Sequence, residues 1–280
     1  MAKNKIIAFG GTAGAYSDIA CRALFPDDET LPCLGFEEAM RAVAEGKADR
    51  AVIPVENAIA GRVADVHHLL PRAGLHIVGE HYQPIAHHLF AVKGAALAGI
   101  KTVKSHVQAL SQCRNFIREH GYIATAQGDT AGAAASLAAS QDKTVGVIAS
   151  ALAGKIHGLE SLASDIADMK GNTTRFLILA RDAEPAIPSQ PCITTLVFRV
   201  RSIPAALYKA LGGFATNGVN LTKLESYLVD GNFNAAQFYA DFEGHPDSAP
   251  VKNALEELAF YAEEVKILGT YPAHKFRTPA

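Results

Sequence analysis

The sequence predicts an α/β region followed by a smaller unit of βαββαβ order. Three observations carry this. Short apolar runs alternate with helical patterns from Ile6 to Arg181. A polar run holding Pro185, Pro188 and Pro191 then breaks the alternation at 182–191. Beyond it the rhythm changes to longer alternating strands and two helical stretches.

In the first region Ile6–Phe9 reads as a strand, followed by the turn Gly10-Gly11-Thr12-Ala13-Gly14 and a helix from about Ala15 to Leu24. Phe36–Ala44 reads as a helix, Arg50–Val55 as a strand, and Ala60–Leu70 as a helix bounded by Pro71. Further strands fit Leu75–Val78, Leu89–Val92, Ile123–Ala126, Val145–Ile148 and Phe176–Ala180. Leu110, Cys113 and Ile117 share one face of a predicted helix, Gln108–Ile117. Asp129 or Thr130 caps the Ala-rich helix that runs to about Ala139. Such alternation implies a mostly parallel sheet covered by helices.

Three prolines in a polar run suit neither a helix nor a central strand, so 182–192 is a linker. After it, Leu196, Phe198 and Val200 alternate along Ile193–Arg201. Pro204 suits a first helical turn, Leu207, Leu211 and Phe214 keep helical spacing, and Gly218 offers a left-handed stop. Val219–Val229 and Phe233–Phe242 read as strands joined by a tight turn at Asp230-Gly231-Asn232. Ser248–Glu264 reads as a helix and Val265–Gly269 as the last strand. The order matches a ferredoxin-like fold.

The chain has 280 residues, 49% of them hydrophobic, which suits two folded domains. A formal charge of −2 gives no electrostatic case for nucleic acid or an anionic membrane. No apolar run is long enough to span a bilayer, and Ile6–Phe9 is too short for a signal-peptide core. Cys21, Cys33, Cys113 and Cys192 are widely spaced, so reduced thiols in the cytoplasm are expected.

Several polar runs stand at the ends of predicted elements, where open α/β domains bind ligands. Gly10–Ser17 leaves backbone N–H groups free for an anion, or is simply a tight strand-to-helix turn. Asn57, in Pro54-Val55-Glu56-Asn57, offers uncharged donors or caps the next helix, and Glu56 is structural or the partner of a cation. Ser105 and Gln108, in Ser105-His106-Val107-Gln108, also read as a capping box. Thr173-Thr174-Arg175 runs into a strand, so capping does not explain it, and Arg175 fits a carboxylate. A surface ion pair and β-propensity are the plain alternatives there. His67-His68 and His87-His88 do not chelate easily, because adjacent residues point apart. No metal site is expected.

Taken together, the order and spacing of these runs resemble prephenate dehydratase, the monofunctional kind with a C-terminal ACT domain. The landmarks are Gly14-Ala15-Tyr16-Ser17, Pro54-Val55-Glu56-Asn57, Glu80 to His87, Ser105 to Leu110, Asp129-Thr130-Ala131, and Asn172 to Phe176. Ala206-Leu207, Asn220-Leu221 and Leu224-Glu225-Ser226 follow in the second unit. The chain departs from the family at Ala58, Val107 and Tyr227-Leu228, where Ser, Pro and Arg-Pro are usual.

The resemblance implies a bilobal catalytic domain like a type II periplasmic binding protein over 1–181. Lobe 1 would be about 1–80 and 162–181, and lobe 2 about 81–161, with the site between them. An ACT domain over 193–273 would follow. It implies decarboxylating dehydration of prephenate without a cofactor, with Thr174 facing the leaving hydroxyl and Asn57 and Gln108 orienting the substrate. Thr173, Arg175, Ser105 and the groups around Ala15, Tyr16, Ser17, Asp129, Thr130 and Ala131 would bind it. It also implies phenylalanine as effector, held by Ala205, Ala206, Leu207, Gly218, Asn220, Leu221, Glu225 and Ser226 between ACT domains of a homodimer or homotetramer. Arogenate dehydratase and a non-catalytic amino-acid sensor or solute-binding protein are the other readings.

Overall fold

The computed structural model describes residues 4–184, 186–201, 203–229 and 232–277. The chain divides into two compact units, 1–63 with 81–176 and 64–80 with 177–280.

Chain order begins β1 (Ile6–Gly10), α1 (Tyr16–Leu24), β2 (Glu29–Cys33), α2 (Phe36–Ala44), β3 (Arg50–Asn57), β4 (Gly61–Arg62), α3 (Ala64–Leu69) and β5 (His76–Pro84). Then come β6 (His88–Ala91), β7 (Thr102–His106), α4 (Val107–Gln112), α5 (Arg114–Glu119), β8 (Ile123–Gln127), α6 (Thr130–Ser140), β9 (Val145–Ala149), α7 (Ala151–Ile156), β10 (Glu160–Ala163) and β11 (Thr173–Ala180).

These strands make two sheets. One has the order β2-β1-β3-β11-β5 with β4 added to β3, and the other is β10-β6-β9-β7-β8. The first pairs β1 in parallel with β2 and β3. The second is mixed, with β7 parallel to β8 and β9 while β6 runs antiparallel to β9 and β10. A mostly parallel sheet was expected; the one reversed strand here is β6, which runs against both of its neighbours, β9 and β10.

The small side chains Ala131, Ala133 and Ala134 bring α6 close to Phe9, Phe90 and Phe176 in one core. At Gly154 of α7 a Cβ would collide with the Phe90 ring, so glycine is required for that approach. Leu110, Cys113 and Ile117 meet in a second core, as their spacing predicts. The helix itself breaks: Cys113 has φ −123° and ψ 28°, leaving two short helices in place of one. The helix predicted from Ala60 begins only at Ala64, because Asn57 and Gly61 pair across a tight β3–β4 turn, with Gly61 at φ 81°.

The C-terminal part comprises β12 (Cys192–Val200), α8 (Ala206–Thr216), β13 (Leu221–Val229), β14 (Asn232–Glu243), α9 (Ala249–Tyr261) and β15 (Ala262–Pro272). Its sheet has the order β13-β14-β12-β15, every pair antiparallel. This is the βαββαβ, ferredoxin-like arrangement. Leu196, Phe198, Phe214, Phe238, Phe242 and Leu258 form its core under the two helices. Pro204 stands ahead of α8 rather than within it, and Ala205 caps the helix with φ 62°. Gly218 takes the left-handed conformation expected of it, φ 67°. Asp230 and Gly231 of the predicted turn lie outside the described residues.

The second unit also includes α3 and the start of β5. His67 of α3 is buried with its ring 4.8 Å from Tyr239 of β14, and a Cβ at Gly269 of β15 would collide with the Ile77 carbonyl. Glu80 accepts from the Arg277 guanidinium at 2.6 and 2.9 Å and from the His274 N–H at 3.0 Å. Neither helix nor strand occurs among the described residues of 182–191. No helix among the described residues is long and apolar enough to cross a membrane.

Candidate active site

The β3–β4 turn fixes Asn57. Its Oδ1 accepts from the N–H groups of Ile59 and Ala60 at 3.0 and 2.8 Å. This short side-chain turn is what the sequence presents as a helix cap. With Oδ1 so engaged, the Nδ2 end faces the start of β11. It donates to Thr174 Oγ1 at 2.9 Å and to Asn172 Oδ1 at 2.7 Å.

The chain of contacts continues. Asn172 Nδ2 donates to Gln112 Oε1 at 2.8 Å, and His87 Nε2 lies 2.8 Å from the same oxygen. His87 Nδ1 lies 2.9 Å from the Tyr16 hydroxyl, which is also 2.6 Å from the Ala86 carbonyl. Asn172, Thr174 and His87 are buried. Burial holds the His87 imidazole below its ordinary pKa, against a smaller upward pull from Gln112. Burial, and then Cys113, push the Tyr16 phenol far above its ordinary range, so it stays a donor. Cys113 is itself pushed up to about 12, first by burial and then by Asp168. All four cysteines are free and buried.

The structure therefore joins Asn57 to Thr174 directly. Gln108 is exposed, one helical turn before Gln112 on the same side of α4, and takes no part in this chain among the described residues. Asn172, Gln112 and His87 are linking residues to which the sequence assigns no site role, although Asn172 and His87 stand in the landmark runs. Gln112 carries one signal, its spacing of four from Gln108.

Three expectations need correcting. Arg175 is only 2% exposed, and its guanidinium pairs with Glu56 Oε1 at 3.0 Å. As neighbours on a strand, Arg175 and Thr174 point to opposite faces. The guanidinium is thus a buried counter-charge, not a clamp beside the hydroxyl. Ser105 does not cap α4: it ends within β7, donates to the Ile148 carbonyl at 2.6 Å and is fully buried. The cap is His106, whose Nδ1 accepts from the Gln108 N–H. In the Gly-rich loop, the Ala15 N–H is used by the Thr12 carbonyl and the Gly14 N–H by the Asp18 carboxylate.

Tyr16 and Ser17 head α1, and Thr130 and Ala131 head α6. The two helix starts are tied by Thr12 Oγ1 donating to Asp129 Oδ2 at 2.9 Å, while Asp129 Oδ1 caps α6. Thr173 helps to line a hollow of about 540 Å³ with His87, Asn172, Asp165 and Lys170. A second hollow, about 260 Å³, is lined by Ile59, Ala60, Ser111, Gln112, Arg114 and Asp168.

In the ferredoxin-like part, Ala205, Ala206 and Leu207 line a hollow of about 490 Å³ with Arg201, Tyr208 and Phe238. Gly218, Asn220, Leu221, Glu225 and Ser226 are not among its walls. Asn220 instead donates to Glu243, and Glu225 pairs with Lys223. Ser226 faces Phe238 across β13–β14. Among the described residues no group of three or more His, Cys, Asp or Glu could hold a metal ion.

Comparison with known proteins gives this geometry a family. A relative from Komagataeibacter europaeus, a bifunctional N-acyl-homoserine lactone acylase/prephenate dehydratase, is 48% identical over 98% of both chains. Arogenate dehydratase 2 of Petunia hybrida is 41% identical, covering 95% of this chain and 71% of its own length. The structure of prephenate dehydratase from Arthrobacter aurescens in complex with L-Phe superposes with a TM-score of 0.89. It is 28% identical and covers 98% of this chain and 92% of its own. The prephenate dehydratase family model matches residues 7–184, which include every residue of the Asn57–Thr174 chain of contacts. This chain is an enzyme of the prephenate dehydratase family.

Proposed function

We propose that the protein converts prephenate to phenylpyruvate, with phenylalanine as feedback inhibitor. Prephenate carries two carboxylates and a ring hydroxyl. Taking up one proton, it loses the hydroxyl as water and the ring carboxylate as CO₂. Aromatisation drives the step, so the protein need only orient a dianion and stabilise the departing oxygen.

One observation carries this reading: Thr174 Oγ1 accepts from Asn57, so the hydroxyl's own proton is directed elsewhere. A threonine is too weak an acid to lose that proton at neutral pH, so its contribution is a short hydrogen bond to the leaving oxygen. Gln108 orients the substrate as an uncharged group. First-turn N–H groups of α1 and α6 attract its carboxylates.

The regulatory part of the reading places phenylalanine in the hollow at Ala205, Ala206 and Leu207, with two such units pairing. It inhibits if it binds the less active arrangement better. The reading places the enzyme in the cytoplasm.

The test is incubation with prephenate and, separately, arogenate, following phenylpyruvate and phenylalanine as products. Phenylpyruvate formation, slowed by added phenylalanine, supports the proposal. Preference for arogenate makes it an arogenate dehydratase, and absence of both products from folded protein favours a sensor.

A second activity is favoured by one finding, the 48% identity over 98% of both chains to the bifunctional relative. We infer that N-acyl-homoserine lactones deserve the same assay. Release of free homoserine lactone would support acylase activity, and none would confine the protein to dehydration.

A further inference from the structure

We propose that His87 is a positioning residue: held in one tautomer, its imidazole keeps the buried chain of contacts that ends on the Thr174 hydroxyl in a single donor–acceptor direction. The proposal rests on the reading of Thr174 as the group that meets the substrate.

The fixed end of the ladder is Asn57. Two backbone N–H groups, those of Ile59 and Ala60, can be satisfied only by the oxygen of the Asn57 amide. Nδ2 therefore points at Asn172, whose own oxygen must face it. That leaves the Asn172 nitrogen to donate to Gln112, and the Gln112 oxygen to receive it. The same oxygen lies 2.8 Å from His87 Nε2, so Nε2 must carry a hydrogen. In the neutral ring Nδ1 is then an acceptor, and the single hydrogen of the Tyr16 hydroxyl, which burial keeps in place, is shared between Nδ1 at 2.9 Å and the Ala86 carbonyl at 2.6 Å.

The ring constrains the ladder from its other end. A hydrogen on Nδ1 alone would set two lone pairs face to face at the Nε2–Gln112 contact. Turning the Gln112 amide would then oppose its nitrogen to that of Asn172, and turning Asn172 would oppose it to Asn57. The conflict would arrive at the one donor that directs Thr174. A single tautomer of His87 thus keeps the amide ladder in register. The groups around the ring are Tyr16 from α1, His88 beside it on β6, and Asp165 and Lys170 lining the hollow that His87 also lines.

Nitrogen NMR of histidine-labelled protein, with His87→Gln to assign the signal, reads the tautomer without any substrate. A protonated Nε2 and a bare Nδ1 at neutral pH are expected, and the reverse overturns the proposal. In turnover, His87→Phe should lower kcat by about tenfold with KM within about twofold, while His87→Gln, which restores an N–H donor, recovers most of the loss. Adding Gln112→Leu to His87→Phe should cost less than the product of the two single losses if both act through one ladder. Wild-type kcat in folded His87→Phe, or losses that multiply, would overturn it. If His87→Phe does not fold, the tautomer of the wild-type protein decides. A wild-type protein without dehydratase activity overturns the functional reading alone, and the tautomer still tests the ladder.

Discussion

Asn57 donates to Thr174 Oγ1 across 2.9 Å, from a position 117 residues earlier in the chain. The bond makes the threonine oxygen an acceptor and leaves its own hydrogen for another partner. Thr174→Ala should therefore cut kcat by about 10²–10³, the usual cost of one directed donor, while leaving the melting temperature nearly unchanged. Thr174→Ser, which keeps the hydroxyl, should retain most of the turnover. Full turnover in Thr174→Ala would remove this residue from the mechanism.

Gly14 has φ 89°, and a Cβ there would lie 2.7 Å from the Ala153 Cα. Its carbonyl also accepts from the buried Ser150 hydroxyl at 2.6 Å. Gly14→Ala should cost about 3 kcal/mol from left-handed strain and overpacking together, measured by urea unfolding. Stability equal to wild type would show that the two segments have room to separate.

The His87 imidazole has a folded pKa below the ordinary 6.5 because burial disfavours its charged form. Its contribution to stability is full above about 6.5 and is lost as pH falls through the lowered folded value. The melting temperature should thus decline from pH 7 toward pH 5, and more gently in His87→Gln. His274, also lowered by burial, gives the same sign and remains in both proteins. Parallel pH curves for the two proteins would contradict the assignment.

Arg277 grips Glu80, whose side chain is fully buried, through two nitrogens. Removing one partner of a buried pair is strongly destabilising. Arg277→Ala should cost about 3 kcal/mol in chemical unfolding. A loss below about 0.5 kcal/mol would class the pair with ordinary surface bridges.

Much of the architecture is legible in the sequence. The alternation of Leu196, Phe198 and Val200 identifies β12, and the Phe36–Ala44 helix appears at its predicted bounds. What escapes has physical causes. β2 contains Pro32 and lies first in its sheet's order, where proline is tolerated at an edge but weakens a strand signal. The helical spacing of Ala60–Leu70 hides the β3–β4 turn, because Asn57 satisfies the backbone there before any helix starts. Arg175 looks like a ligand group in sequence, yet β-strand alternation sends it away from Thr174 to Glu56. The Asn57–Asn172 and Asn172–Gln112 links span 115 and 60 residues, so no local pattern announces them.

The stretch 64–80 is claimed by packing in one place and by the backbone in another. Its rings and carboxylate are fastened to the ferredoxin-like module, through Tyr239, Gly269 and Arg277. Yet the peptide leaving its front end leads back to Asn57 and the one leaving its rear leads on to His87. Both extremities of the amide ladder are thus leashed to the same borrowed segment. A deletion or insertion between 64 and 80 would therefore alter the chain leading to Asn57 and the chain leading to His87 at once.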